Sequence, residues 1–440
     1  MKKITAVEYK HRRSALMAEM EANSIAILPS APLQPRNRDV EHPYRQDSDF
    51  YYLTGFTESE SVLVLIPGRT HGEAVLFCQE KDPEKELWEG RRAGQEGAVA
   101  NYGMDDAFPI NDIDEILPGL IEGRSRVYYA IGANEVFDRR LMGWIKSIKS
   151  KTKQGAQPPG EFIALENILH EQRLFKSDVE IAVMTEAGEI SAKAHLRAMR
   201  ACRPGLYEYQ LEAEILHEFM HAGARFAAYP SIVGGGENAC ILHYTNNDCQ
   251  LKDGELILID AGCELDHYAA DITRTFPVNG RFSEEQRAIY DLVLTAQLEA
   301  IEAIKPGTVF NHIHDITVRV ITEGLVKLGI LTGDVNKLIE DEAYKPFYMH
   351  KSSHWIGMDV HDVGDYRIAG QWRDLEPGMV LTIEPGIYIA PDNMEVDSKW
   401  QGIGVRIEDD VVVTETGHTV ITSAVPKQVH EIEALIQQVQ

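Results

Sequence analysis

DGELILIDAG at residues 253–262 and PGMVLTIEPG at residues 377–386 are two settings of one pattern. Each has a turn glycine (Gly254, Gly378), an apolar strand, a carboxylate six residues after that glycine (Asp260, Glu384) and another glycine two further on. One such run would read as any buried strand ending in an acid before a turn. Two copies are too few for a solenoid, so they predict one domain with an internal pseudo-twofold and a site between its halves.

Each copy is followed by a second strand bearing acids. After Asp260, AGCELDHYAADITRTF reads as a hairpin turning near Leu265 and Asp266. That turn would set Asp260 and Asp271 directly across the ladder on one face, with Cβ atoms about 5 Å apart. Two carboxylates so placed on a buried strand pair are costly unless a cation or a shared proton neutralises them. After Glu384, GVRIEDDVVVT offers Glu408, Asp409 and Asp410, with Arg406 on the same face as Glu408 by the two-residue period. Periodicity alone does not choose among the three acids.

Histidines complete the set. His243 lies in ILHYTNND upstream of the first acid strand, and His350, His354 and His361 fall in the loop-like HKSSHWIGMDVHDVG. Four carboxylates and one imidazole form an oxygen-rich donor set, which suits a pair of hard or borderline divalent ions such as manganese. Two ions about 3.5–4 Å apart can deprotonate a water at neutral pH, so the expected chemistry is hydrolysis. One arginine cannot neutralise four buried carboxylates, which argues against a purely structural ion-pair cluster.

Other motifs compete. His217-Glu218-Phe219-Met220-His221 fits the helical zinc-protease signature HExxH. Projected at 100° per residue, Leu211, Ile215, Leu216, Phe219 and Met220 form the apolar arc and both histidines fall opposite, facing solvent; Gly223 comes one residue too early for the extended metzincin pattern. VGGGEN at 233–238 lacks the lysine and hydroxyl of a phosphate loop and reads as a turn beside a site. Cys240 precedes His243 by three residues, but a lone cysteine is more often a small buried hydrophobe than a nucleophile.

Working outward, the chain has 440 residues, 44% of them hydrophobic, enough for two domains with their own cores. Short apolar runs (SIAIL, SVLVLI, EAVLFC, RVYYAI) follow a helical stretch in the first third, an α/β pattern. KTKQGAQPPG at 151–160 marks the approach to a boundary, and the second half reads as an α+β domain. The formal net charge of -26 repels nucleic acid and anionic lipid. Five cysteines without CxxC spacing, and no apolar run long enough for a signal or a span, point to a reducing, cytoplasmic setting.

HYTNND, LILIDAGCELDHYAADITRTFPVNG, SHWIGMDVHDVG, LTIEPGIYI and GIGVRIEDDVVVT, in this order, resemble the signatures of the pita-bread metallopeptidases, and the whole set resembles the bacterial aminopeptidase P family. YRQDSDFYYLTGF, with Asp39 before it and Trp88 after it, resembles that family's first domain. The resemblance implies an α/β N-terminal domain of the creatinase/prolidase kind over residues 1–172 and a pita-bread catalytic domain over 173–440. It implies Asp260, Asp271, His354, Glu384 and Glu408 as ligands of two divalent ions, usually Mn2+, which settles the choice among the three acids. It implies catalytic roles for His243, His361, Glu384 and Arg406, and places His350, Tyr388, Asp39 and Trp88 around the substrate. The implied activity removes the first residue of peptides with proline second, through a hydroxide held between the ions. A prolidase limited to Xaa-Pro dipeptides and a non-catalytic peptide-binding relative are the alternatives. A homo-oligomer, dimer or tetramer, is implied as well. One departure from the pattern is Lys351, where glycine is expected.

Overall fold

The computed structural model describes residues 3–437, and the chain divides into two compact units, Ile4–Arg173 and the part from Leu174 onward. The first unit is built on a six-stranded mixed sheet in the spatial order Asp106–Pro109, Ala74–Cys78, Val62–Leu65, Ser24–Pro29, Arg126–Tyr128, Glu161–Ile163. The four apolar runs named above supply its four central strands. Their inward residues, Ile25, Ile27, Val62, Val64, Val75, Phe77 and Val127, pack on Leu117 and Trp144 of the covering helices. The polar stretch 151–160 lies inside this unit and leads into its last edge strand.

The second unit repeats itself. Helices Asp178–Ala201 and Glu208–His221 precede strands Ile232–Gly235, Leu256–Asp260 and Thr273–Pro277; helices Glu284–Glu302 and Phe310–Lys327 precede strands Val380–Ile383 and Asp409–Val413. Ser283 and Gln286 close a capping box on the third of these helices, which satisfies amide groups that the helix itself cannot. The second helix buries Leu211, Ile215 and Phe219, a stripe of one residue per turn. Met220, expected within the apolar arc, is 61% exposed, because the contact with the neighbouring helix is narrower than a full amphipathic face. His217 and His221 are exposed with their rings stacked 5.7 Å apart.

The first acid hairpin differs from the expected register. Asp260 pairs with Thr273, not Asp271, because the turn falls on Asp266 and His267, at φ 50° and 68°. A two-residue hairpin turn of this type I′ form requires two left-handed residues, which Asp and His tolerate, whereas Leu265 is buried in the strand before it. Moving the turn by one residue moves the partner by two, so Asp271 keeps its face. Bonds from Ala261 N–H to Ile272 O and from Ala270 N–H to Cys263 O, both 3.0 Å, bracket Asp271 opposite Gly262. In the second hairpin Ile383 pairs with Asp409 and Gly386 with Arg406, which puts Glu384 opposite Glu408.

The glycines of the two repeats occupy matched positions but clear space for different neighbours. Gly262 and Gly386 stand across from the long charged side chains of Asp271 and Arg406. A Cβ at Gly262 would strike the Ala270 carbonyl and one at Gly386 the Tyr388 hydroxyl. The halves meet along an antiparallel seam in which Glu408 N–H donates to Thr273 O at 3.1 Å. On one side of that bond Asp271 N–H is capped by Asp410 Oδ2 at 2.9 Å, and on the other Arg406 N–H by Thr275 Oγ1 at 3.2 Å. These are the same interaction made twice about a local twofold.

Candidate metal centre

The seam brings the acids of both hairpins together. Asp260, Asp271 and Glu408 are buried, and Glu384 and His354 are nearly so. One oxygen of Asp271, one of Glu408 and a nitrogen of His354 lie within 4.8 Å of one another. His354 Nε2 stands 3.7 Å from Asp271 Oδ2 and 3.6 Å from Glu384 Oε1, beyond hydrogen-bond reach. Its Nδ1 faces the Trp355 carbonyl at 2.9 Å. A carbonyl only accepts, so Nδ1 carries the proton and Nε2 offers a lone pair to the acids.

Positive charge is scarce here. Arg406 donates to Asp260 Oδ2 at 2.7 Å, to the Tyr388 hydroxyl at 2.9 Å and to Thr273 Oγ1 at 3.1 Å. Thr273 in turn donates to Glu408 Oε2 at 2.6 Å. Burial, reinforced by the charge of Glu408, holds the carboxyls of Asp271 and Glu384 well above the usual range. Burial and the charge of Asp260 push Glu408 up to about 8. Burial lowers His354 to about 4, so the imidazole is neutral, as a ligand must be. Carboxylates forced toward their neutral form beside a neutral imidazole are short of cation, and an oxygen-rich set of this kind fits hard divalent ions.

The remaining expected residues are placed as follows. His361 meets the His354 ring edge-on at 4.3 Å, and burial lowers its pKa. His350 has Nδ1 3.8 Å from Glu384 Oε2 and Nε2 2.8 Å from the Tyr388 hydroxyl. Tyr388 is fully buried with its hydroxyl committed to Arg406 and His350, so it sits behind the lining of the site. His243 is exposed. Asp39 and Trp88 are exposed residues of the first unit. Asp409 turns away from the acids to Arg274 and Lys427, at 2.7 and 2.8 Å. Lys351 is exposed to solvent. The Cys240 thiol is pushed up to about 12 by burial, which removes it as a nucleophile.

Two contributors were not foreseen. Tyr229 donates to Asp260 Oδ1 at 2.6 Å and makes a short contact with Asp271 Oδ1, tying the two acids together. Thr273 links Arg406 to Glu408. Tyr229 lies in a stretch without motif, and Thr273 would have been found from the correct hairpin register.

The family model for metallopeptidase family M24 matches residues 182–415, and that for the aminopeptidase P N-terminal domain matches residues 9–128. The chain belongs to metallopeptidase family M24. This M24 member is 50% identical over 439 residues to the Xaa-Pro aminopeptidase of Escherichia coli strain K12, with 99% of each chain covered. Among solved structures, Pseudomonas aeruginosa aminopeptidase PepP matches at TM-score 0.99 and 67% identity, covering 100% of this chain and 99% of that one. Zinc-substituted Escherichia coli aminopeptidase P in complex with product matches at TM-score 0.97 and 49% identity, covering 100% and 99%. The pita-bread architecture and the enzyme class expected from the residues are those of these relatives, and membership in M24 implies divalent metal ions.

Proposed function

We propose that this metallopeptidase is an Xaa-Pro aminopeptidase, cleaving the bond between an N-terminal residue and a following proline. The observation that carries the reading is the convergence of Asp260, Asp271, Glu384, Glu408 and His354, with Arg406 as the counter-charge among them, in a chain matched end to end by relatives of that name. Those five residues would hold two divalent ions, and manganese suits their oxygen-rich donors. When bound, such ions would lower the pKa of a water and polarise the scissile carbonyl.

The protein's own groups do the rest. Tyr229 and Arg406 fix Asp260 through opposite oxygens, leaving its orientation little freedom. Glu384 is the most open of the four acids and borders His350 and His354, which suits it to take a proton from the attacking water and deliver it to the leaving nitrogen. His361, whose ring meets that of His354 at 4.3 Å, and His243 would donate to the developing oxyanion. Burial and the neighbouring guanidinium lower His350 to about 3, so its neutral ring, backed by Tyr388, offers an uncharged wall to the proline. A free amine beside Asp260 would restrict the enzyme to the first residue of the peptide.

Asp39 and Trp88 are proposed as further substrate contacts. Leu87 and Trp88, 80% and 86% exposed, favour contact with a second copy, in a dimer or tetramer. Five unpaired cysteines favour a cytoplasmic location. Among the described residues no helix is long and apolar enough to cross a membrane. An Xaa-Pro-Yaa tripeptide tests the reading: with manganese, the first residue is released, and turnover of Xaa-Pro dipeptides alone would make the enzyme a prolidase instead.

A further inference from the structure

The chain between the first acid and the hairpin turn is held from behind by one stripe of the helix Asp178–Ala201. Cys263 Sγ lies 3.4 Å from the Ala187 carbonyl, Cys263 N–H donates to Ser191 Oγ at 3.0 Å, and His195 Nε2 lies 2.9 Å from the Ala261 carbonyl. Ala187, Ser191 and His195 are spaced one turn apart, so a single helix face grips residues 261–263. His195 is the unusual member. It is fully buried, and its Nδ1 has no partner among the described residues. A carbonyl only accepts, so Nε2 carries the proton and Nδ1 is left bare. Retaining half-satisfied imidazole in a core is costly, and an apolar residue would pack there without that cost.

What the bond holds explains its retention. Ala261 follows Asp260 and precedes Gly262, where the strand passes so close to Ala270 that no Cβ fits. Asp271 lies across from that crossing. The angle at which the chain leaves Asp260 therefore sets how Asp271 approaches it. The second half carries an analogous device: on the helix Glu284–Glu302, Gln297 is fully buried and donates to the Ile383 carbonyl, just before Glu384, at 3.3 Å, and to Asp409 Oδ2 at 2.9 Å. In both halves a buried polar side chain of the first helix grips a carbonyl adjoining the first acid of the hairpin.

We propose that His195 is a positioning residue for the metal centre: its Nε2–H, bonded to the Ala261 carbonyl, fixes the separation of Asp260 and Asp271 that divalent ions require. The proposal rests on those two acids being ligands. It predicts that the donor at the Nε2 position matters and that the ring itself does not.

Titration calorimetry of the full chain with manganese separates the possibilities. Glutamine places an amide near Nε2, so H195Q should bind manganese within about threefold of wild type. H195L, apolar and similar in reach, should stay folded by circular dichroism and bind manganese about 10- to 100-fold more weakly, the range for loss of a supporting hydrogen bond. Should H195L not fold, H195N carries the same expectation, because its amide reaches only the Nδ1 position. A folded H195L or H195N with wild-type affinity overturns the proposal, as does a folded H195Q as weak as either. D271A guards the premise: unchanged manganese binding in D271A would refute the ligand assignment itself, whereas lost binding in D271A with wild-type binding in H195L would refute only the role of His195.

Discussion

Thr273 Oγ1 donates to Glu408 Oε2 at 2.6 Å while Arg406 Nε donates to it at 3.1 Å, so one hydroxyl on the seam between the halves sets both an acid and its counter-charge. Thr273→Val keeps the shape and removes the hydroxyl. Leaving a buried carboxylate and guanidinium each short of a partner should cost about 1–3 kcal/mol in urea unfolding. kcat/KM should fall about tenfold. Thr273→Ser, which keeps the hydroxyl, should stay close to wild type in both.

Asp271→Ala should lose bound divalent ion, measured by elemental analysis of the purified chain, and with it more than about a hundredfold in peptide hydrolysis, beyond the range for supporting residues. His217→Ala should bind and turn over as wild type does, since His217 lies exposed on a helix face. The opposite pattern would revive the HExxH reading.

The raised pKa of Glu408 has a definite sign. The unfolded chain releases this proton near the ordinary glutamate value of 4.5, the folded metal-free protein near 8, so the folded state binds more protons between these limits. Stability from this group is full below about pH 4.5 and is lost as pH rises toward 8. The melting temperature of metal-free protein should accordingly fall more steeply over pH 5–8 than that of Glu408→Gln. The rise on adding manganese should be larger at pH 8 than at pH 5.

Gly262→Ala forces a Cβ against the Ala270 carbonyl, a backbone atom that cannot swing aside. The expected cost is about 3 kcal/mol, the upper end for overpacking, read from chemical denaturation. Manganese affinity should drop as well, because relief of the clash displaces Asp271.

Lys176 and Asp362 form an ion pair at 2.8 Å with side chains 1% exposed, next to His361 in sequence. Asp362→Ala leaves a lysine buried without its counter-charge and should destabilise the chain by about 3–5 kcal/mol. Replacing both by apolar residues (Lys176→Met with Asp362→Leu) should recover most of that loss in the same unfolding assay.

Much of this was legible in the residues. The two DG…DAG and PG…EPG runs disclosed the repeat, and alternation along the second strands put Arg406 and Glu408 on one face. The register of the first hairpin was not legible from apolar spacing, because the turn was decided by which residues tolerate positive φ, Asp266 and His267, rather than by strand hydrophobicity. Periodicity also could not choose Glu408 over its neighbours. That choice depends on Arg274 and Lys427 drawing Asp409 away and on Asp410 being spent on the Asp271 amide, contacts distant in sequence. Tyr229 and His195 carried no signal because each acts on a segment that folding alone brings near.

The cross-strand partner of Gly262 is an acid, Asp271, whereas the partner of Gly386 at the matched position is a guanidinium, Arg406. A cradle with identical ends could receive a peptide either way round. Opposite charges at these matched positions make the two halves of the cleft electrostatically unequal while the backbone keeps its twofold, so the two orientations of an asymmetric ligand differ in energy.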